Sequence, residues 1–369
     1  MTDLNPTTVG RLGHRETTLL LAVTISARIF LGFPREMARI GGTASWLVVT
    51  FAFLVTLVAF ILMDTLLARF PGEDLIGIAQ KVAGPFSFLT GFIFFASYLA
   101  ITAIVMRLFA ETFVIGVLPR TPIGVLTGLL LALLILANYF GIETISRMAM
   151  LFTPYILLFV LLVFLLTIPS MRIPNLMPLW GTGFAKIAWK SWAKSLIFAE
   201  ITLLGFIAPL LREESRRRKI GLSALLVSFL IMVTTVIVFT LVFDYPGTKH
   251  LIFPIYHLAR QISIAEFFQR VEAIFVFLWF FTATIGLAAV FHGATYTFAR
   301  TFSLPTHRPL LFPLGVLAYG LSLLPASFAE ATRLDLEVLR VYALLPLYLL
   351  PPLLLALALL RRQKGGKAN

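Results

Sequence analysis

Apolar runs of roughly 20 residues recur along the chain from about residue 17, separated by short clusters of Pro, Gly and charge. A window of about 19 residues, the length that carries a helix across a hydrocarbon layer, finds candidate spans at 17–40, 44–68, 86–116, 122–140, 142–168, 187–211, 220–243, 268–300, 309–327 and 338–360. The pattern predicts an all-α integral membrane protein of ten transmembrane helices, one membrane domain over residues 1–369. The connections, among them PGEDLIGIAQKVAGP, TIPSMRIPNLMPLWGTGFAK and LREESRRRK, contain no low-complexity tract and no soluble domain.

Two spans carry breakers. The first contains SARIFLGFP, Ser26 to Pro34, where Arg28 is followed by Gly32 and Pro34; the sixth contains LIFAEITLLGFIAPLL, with Glu200, Gly205 and Pro209. Breakers free backbone groups that lipid cannot satisfy, so a real interruption faces protein or a water-filled cavity. Ten spans divide into halves at 17–168 and 187–360, and the broken segments then open each half. That is the pattern of an inverted repeat with discontinuous first and sixth helices. Gly and Pro that merely kink these helices are the simpler alternative.

Composition agrees with lipid as the solvent: 59% of the 369 residues are hydrophobic, 13% are charged, and mean hydropathy is +0.97. A soluble globule carries about 25% charged residues. No cysteine is present, and the five histidines form no H-E-x-x-H pair. With no G-x-S-x-G either, no catalytic residue, metal site or cofactor is expected, and the chain does not read as an enzyme. The net charge of +13 sits at helix ends, where lipid headgroups account for it, so nucleic acid is not an expected partner. RRRK (216–219) and RRQKGGK (361–367) are four spans apart and so share a face, which the positive-inside tendency makes cytoplasmic. Six spans precede the first cluster, so both termini are expected there. The polar first 16 residues carry no cleavage signal.

Arg28 and Glu200 are the ionisable groups nearest the centres of their spans. An unpaired charge at that depth costs about 2.5–3.5 kcal/mol even on lenient scales. They face each other, a ligand or water, and Arg28 has the further option of snorkelling to an interface. Arg107–Glu111 and Glu143–Arg147 are spaced i, i+4 and read as helix-end ion pairs; Asp64 and Arg69 read as interface anchors. Arg270 and Glu272 are too close in sequence to face each other. Span three carries Ser97, Tyr98 and Thr102, span eight Thr282, Thr284 and His292, and span one Thr24 and Ser26. Such hydroxyls usually bond their own backbone or a neighbouring helix. The aromatic run around Trp279 reads as core or lipid-facing packing.

Several local motifs together resemble the spore germination permease family, the B subunit of germinant receptors, itself similar to the amino acid–polyamine–organocation (APC) transporters. They are the Pro34-Arg35 break, RLFAE (107–111) followed by RTPIG, NLMPLWGTG (175–183), FAE with its downstream basic run, LIFP (251–254) and FFQRVEAIFVFLWFF. The resemblance covers nearly the whole chain. It implies a LeuT/APC-like subunit of the spore inner membrane, a bacterial cell membrane protein in which spans one, three, six and eight surround a small-molecule germinant. A-type and C-type receptor subunits and the lipid bilayer are the implied partners. The implied ligand-binding residues are Thr24, Arg28, Tyr98, Thr102, Glu200, Thr202 and Thr284. The family often places small residues at the first break, where this chain reads Ala27-Arg28-Ile29; Arg28 would supply a guanidinium for a carboxylate. Where glycine is common before the glutamate of span six, this chain has Ala199. A second reading is a secondary amino acid transporter of the APC superfamily.

Overall fold

The structure, a computed structural model, describes residues 12–248, 257–258, 271–335, 338–339, 345–363 and 365. The described residues form helices α1 (His14–Ser26), α2 (Phe33–Gly41), α3 (Ser45–Arg69), α4 (Leu75–Ala83), α5 (Ser87–Gly116), α6 (Ile123–Phe140), α7 (Ile142–Leu166), α8 (Phe184–Lys194) and α9 (Leu204–Ile207). They continue with α10 (Arg217–Val242), α11 (Tyr245–Thr248), α12 (Val271–Thr301), α13 (Leu311–Ser322), α14 (Phe328–Arg333) and α15 (Leu345–Leu360). Six helical stretches among them are long and apolar enough to cross a membrane, and Ile197–Leu210 and Tyr348–Leu360 are shorter apolar helices. The chain is a multi-pass, all-helical membrane protein.

Both broken spans are discontinuous. α1 ends at Ser26, a 3-10 turn spans Ala27–Phe30, and α2 starts at Phe33 with Pro34 in its first turn. Proline suits that position because the amide it lacks would have no helical partner anyway. In span six, α8 gives way to a 3-10 stretch over Ser195–Leu203, then the single turn of α9 and a second 3-10 turn containing Pro209. The PGEDLIGIAQKVAGP connection holds a helix that periodicity over so short a stretch does not reveal. Asp74 caps α4 by accepting from the Gly77 amide at 2.6 Å.

Lipid offers no hydrophobic force to drive helix against helix, so packing rests on close approach and on polar bonds. α5 and α12, which lie against each other, show the first. A Cβ on Gly293 would stand 2.7 Å from Leu203 and 3.2 Å from Tyr98, so glycine lets the helices meet. Gly181, with φ of +50°, lies against the Gly41 carbonyl, where a Cβ would clash. The NLMPLWGTG segment is thereby fixed to the end of α2, and Thr182 adds bonds to Gly41 O (3.2 Å) and Ile40 O (2.7 Å). The outward sides of α6 and α7 expose Leu129, Phe140, Leu158 and Leu165, as a lipid-facing surface requires.

One end of the bundle gathers the basic clusters. The Leu12 amide donates to Leu210 O (2.8 Å) and the Arg212 amide to Leu12 O (3.0 Å), the two bonds of an isolated parallel bridge between Leu12 and Leu211. Arg69 donates to Gln363 O at 2.8 Å, the Gly72 amide to Glu214 at 3.1 Å, and Arg361 to Val82 O at 2.5 Å. Arg300 and Tyr296 both donate to Asp74, at 2.8 and 2.6 Å. The start of α1, the ends of α3, α12 and α15 and the start of α10 therefore share one face, called the basic face below.

Several readings of isolated charges need correction. Asp64 is buried at 6% exposure and accepts from Arg217 Nε at 2.9 Å, so it is an inter-helix ion-pair partner rather than an interface anchor. Arg107 and Glu111 form the expected i, i+4 pair, but both are buried and Arg107 also reaches Ser322 O at 3.3 Å. Glu143–Arg147 is the exposed helix-end pair expected. LIFP and Arg270 lie outside the described residues, as does the Glu272 side chain.

Candidate functional site

The two breaks meet at Arg28 and Glu200. The 3-10 turn after α1 carries Arg28 inward, and the 3-10 stretch of span six presents Glu200; their side chains are 5% and 3% exposed. Arg28 donates to Glu200 Oε1 through Nε at 3.0 Å and also through Nη2. On its other side, Nη1 lies 3.9 Å from Asp335 Oδ1. A guanidinium offers five donors in a fixed fork, and here the fork lies between two carboxylates. Glu200 Oε2 is buried without a hydrogen-bond partner among the described residues.

A small cavity lies on each side of Arg28. One, of about 30 Å3, is lined by Thr24, Ala27, Glu200, Ile101, Phe109 and Gly286 among others. The second, of about 40 Å3, lies toward α2 and α14, with Arg35, Glu36, Thr332 and Asp335 in its wall. Arg28 borders both. A water needs about 10–15 Å3 on this measure, so each cavity has room for a few waters at most. Arg28 and Leu31 are the two residues common to both linings.

Of the expected ligand residues, Thr24, Arg28 and Glu200 line the first cavity. Thr24 bonds its own helix at Leu20 O (2.7 Å). Tyr98 and Thr202 line neither cavity; they are joined through their hydroxyls at 2.8 Å, with Thr202 also bonded to Ala199 O. Thr102 is fully buried and turned to Tyr98 O at 2.8 Å, a helix-internal bond. Thr284 is buried without a hydrogen-bond partner among the described residues and does not line either cavity. His292 faces away as well, packed at 5.0 Å from the His307 ring. Burial, with Arg308 nearby, holds the His307 imidazole below its ordinary pKa. Trp279 stacks on Phe113 at 4.7 Å and 8°, the packing role its aromatic run predicts.

Sequence reasoning missed Asp335 and Tyr348. Asp335 is the acid in TRLDLEVL, flanked by leucines just before the tenth apolar window, which was the available signal. Tyr348 bonds Thr56 at 2.9 Å on α3 and lies within electrostatic reach of the Arg28–Glu200 pair.

Against known proteins, the family described as "Spore germination protein" matches residues 11–328. The chain belongs to the spore germination permease family. Among curated members, it is 26% identical over 370 residues to spore germination protein KB of Bacillus subtilis (strain 168), covering 96% of each chain. To spore germination protein B2 of the same organism it is 20% identical over 296 residues, 76% of this chain and 80% of that one. Two solved structures show the fold of this family member to be that of LeuT-type transporters. Mhp1, a nucleobase-cation-symport-1 family transporter in a closed conformation with bromovinylhydantoin bound, aligns with a TM-score of 0.62 at 16% identity, over 91% of this chain and 78% of its own. MhsT in complex with L-phenylalanine aligns at 0.63 and 15% identity, over 93% and 97%.

Proposed function

We propose that this germination permease is the ligand-recognising B subunit of a germinant receptor, with a site centred on Arg28. The observation that carries this reading is the guanidinium held between Glu200 and Asp335 where the two discontinuous helices meet. Buried charges this deep are costly unless paired, and in membrane helices they commonly mark a substrate or ion path. A germinant with a carboxylate and an ammonium suits the charges: the carboxylate takes Arg28 bidentately and the ammonium takes Asp335 or Glu200. A monocarboxylate would add a third negative charge, and a sugar would leave the released carboxylates uncompensated. The cavities of about 30 and 40 Å3 are far below the roughly 300–1,000 Å3 of ligand pockets, so binding requires Arg28 to swing and the two cavities to merge. Tyr98 and Thr202, joined at 2.8 Å, tie α5 to the segment that carries Glu200, while Thr102 bonds its own helix.

The wider assignment rests on family membership and on the fold. Ten spans in a five-plus-five inverted repeat, over 17–168 and 187–360, accommodate both breaks at the first helix of each half. The basic face is cytoplasmic by the positive-inside tendency, which puts both termini there, in the spore inner membrane. A-type and C-type subunits complete the receptor and convert occupancy into germination. A secondary transporter is the second reading, favoured by the transporter fold. Proteoliposomes containing only this chain separate the two: amino acid binding by thermal shift without concentrative uptake is expected. Robust ion-driven accumulation would replace the receptor reading, and binding of nucleosides but no amino acid would remove the zwitterion.

A further inference from the structure

On the basic face, away from the central site, the first turns of α1 and α10 leave an open cleft of about 340 Å3 between them. That falls within the range of about 300–1,000 Å3 typical of small-ligand sites. Arg15 stands on the α1 wall, Arg216 and Lys219 on the α10 side, and no carboxylate lines the cleft. All three cations are exposed. Of the nearby acids, Glu213 pairs with Arg216 Nε at 2.5 Å and Glu16 accepts from the Gly13 amide at 3.1 Å to cap α1, which leaves Arg15 and Lys219 without a carboxylate partner among the described residues. Arg15, Lys219 and the paired Arg216 leave the cleft net positive, and an anion between its sides offsets that charge. The apolar part of the lining is Leu19, half-buried, and Ile220, buried; His14, Thr18 and, one turn further in, Ser223 complete it. Both helices run from here into apolar sequence, so the cleft sits where headgroup gives way to hydrocarbon.

We propose that this cleft binds the phosphate headgroup of an anionic phospholipid, which bridges Arg15 to Arg216 and Lys219 and latches α1 against α10. In that position Leu12 keeps its backbone bridge to Leu211, so the lipid favours the arrangement in which the ends of both broken spans are joined. A free phosphate shares the headgroup chemistry but makes no use of the aliphatic floor.

Native mass spectrometry of the full-length chain, delipidated and titrated with phosphatidylglycerol or phosphatidylcholine, tests this. Wild type is expected to retain one phosphatidylglycerol in preference to phosphatidylcholine. Arg15→Gln with Lys219→Gln weakens that binding roughly thirty-fold, from the loss of two interfacial cations, while Arg361→Gln with Arg362→Gln leaves it unchanged. Equal melting of wild type and Arg15→Gln/Lys219→Gln in phosphatidylcholine alone verifies the fold. Undiminished phosphatidylglycerol binding by the folded double variant overturns the proposal. If that variant does not fold, a photo-crosslinking phosphatidylglycerol on wild type decides: adducts in the first turns of α1 and α10 support the site, and adducts only elsewhere reject it. Stabilisation by inorganic phosphate alone, with nothing added by phosphatidylglycerol, overturns the lipid assignment.

Discussion

Arg217 on α10 grips Asp64 on α3 twice, through Nε to the carboxylate at 2.9 Å and through Nη2 to the Asp64 carbonyl at 3.2 Å, with both side chains 8% exposed. A buried pair of this kind is expensive to break and cheap to replace as a unit. Asp64→Asn leaves Arg217 with Glu214 at 3.0 Å and should therefore destabilise the protein by less than the ~3–5 kcal/mol of a fully unpaired buried charge. Asp64→Leu with Arg217→Met should recover most of that loss. Thermal melts in detergent decide it, and a single variant as stable as wild type would mean that the pair carries no such cost.

The same logic applied to the central pair separates structure from recognition. Glu200→Gln leaves Arg28 with Asp335 alone at 3.9 Å and should lower either abundance or germinant sensitivity. Arg28→Met with Glu200→Leu should restore abundance without restoring response. A double-mutant cycle on both readouts gives the coupling. Normal abundance and unchanged ligand dependence in Glu200→Gln would move the site to the Tyr98 side of α5.

Tyr98→Phe removes the 2.8 Å bond to Thr202 and keeps the ring that packs on Phe206 at 5.8 Å. Bonds between helices in a bilayer contribute about 0.6 kcal/mol and at most about 1.7. The expected result is a small fall in melting temperature with a larger shift in ligand concentration dependence, because the bond ties α5 to the segment that carries Glu200, two residues from Thr202. An unshifted dose response would confine Tyr98 to packing.

Gly181→Ala places a Cβ at a φ of +50° and against the Gly41 carbonyl. Left-handed backbone alone costs roughly 1–2 kcal/mol for a residue with a side chain, and the clash adds to it. Gly183→Ala, with φ of +105° and nothing within 4 Å of a Cβ, pays the backbone cost alone. Melting of the two variants should rank Gly181→Ala as the less stable.

Much of this was legible in the sequence because lipid simplifies the rules. A stretch that crosses hydrocarbon must satisfy its own backbone, so apolar length predicted the helices to within a few residues, as at Ile142–Leu166 against 142–168. Arg28 with Glu200 was legible for the same reason: two charges in apolar surroundings had few partners other than each other. α4 was not legible, since nine residues carry too little periodicity. Nor were Asp64 and Asp335, because an acid near the end of an apolar window looks the same whether it turns to water or inward to an arginine on another helix. The hydroxyls are a different case: Thr102 and Thr24 bond their own helices at 2.8 and 2.7 Å, as hydroxyls in apolar spans usually do, while Thr24 also lines the first cavity, and sequence does not say which way a threonine rotates.

The bridge between Leu12 and Leu211 uses no side-chain chemistry. Its two backbone bonds contribute about 1–3 kcal/mol, a factor of about 5–150 in favour of the joined form. Any pair of residues able to adopt extended backbone can make it, so an apolar substitution that preserves the burial of Leu12 and Leu211 leaves the fastening intact. Proline at 12 or 212 is the exception, because each of those residues supplies one of the two amides. The fastening is thus built into main-chain atoms, and the side chains there are selected for the core they pack into.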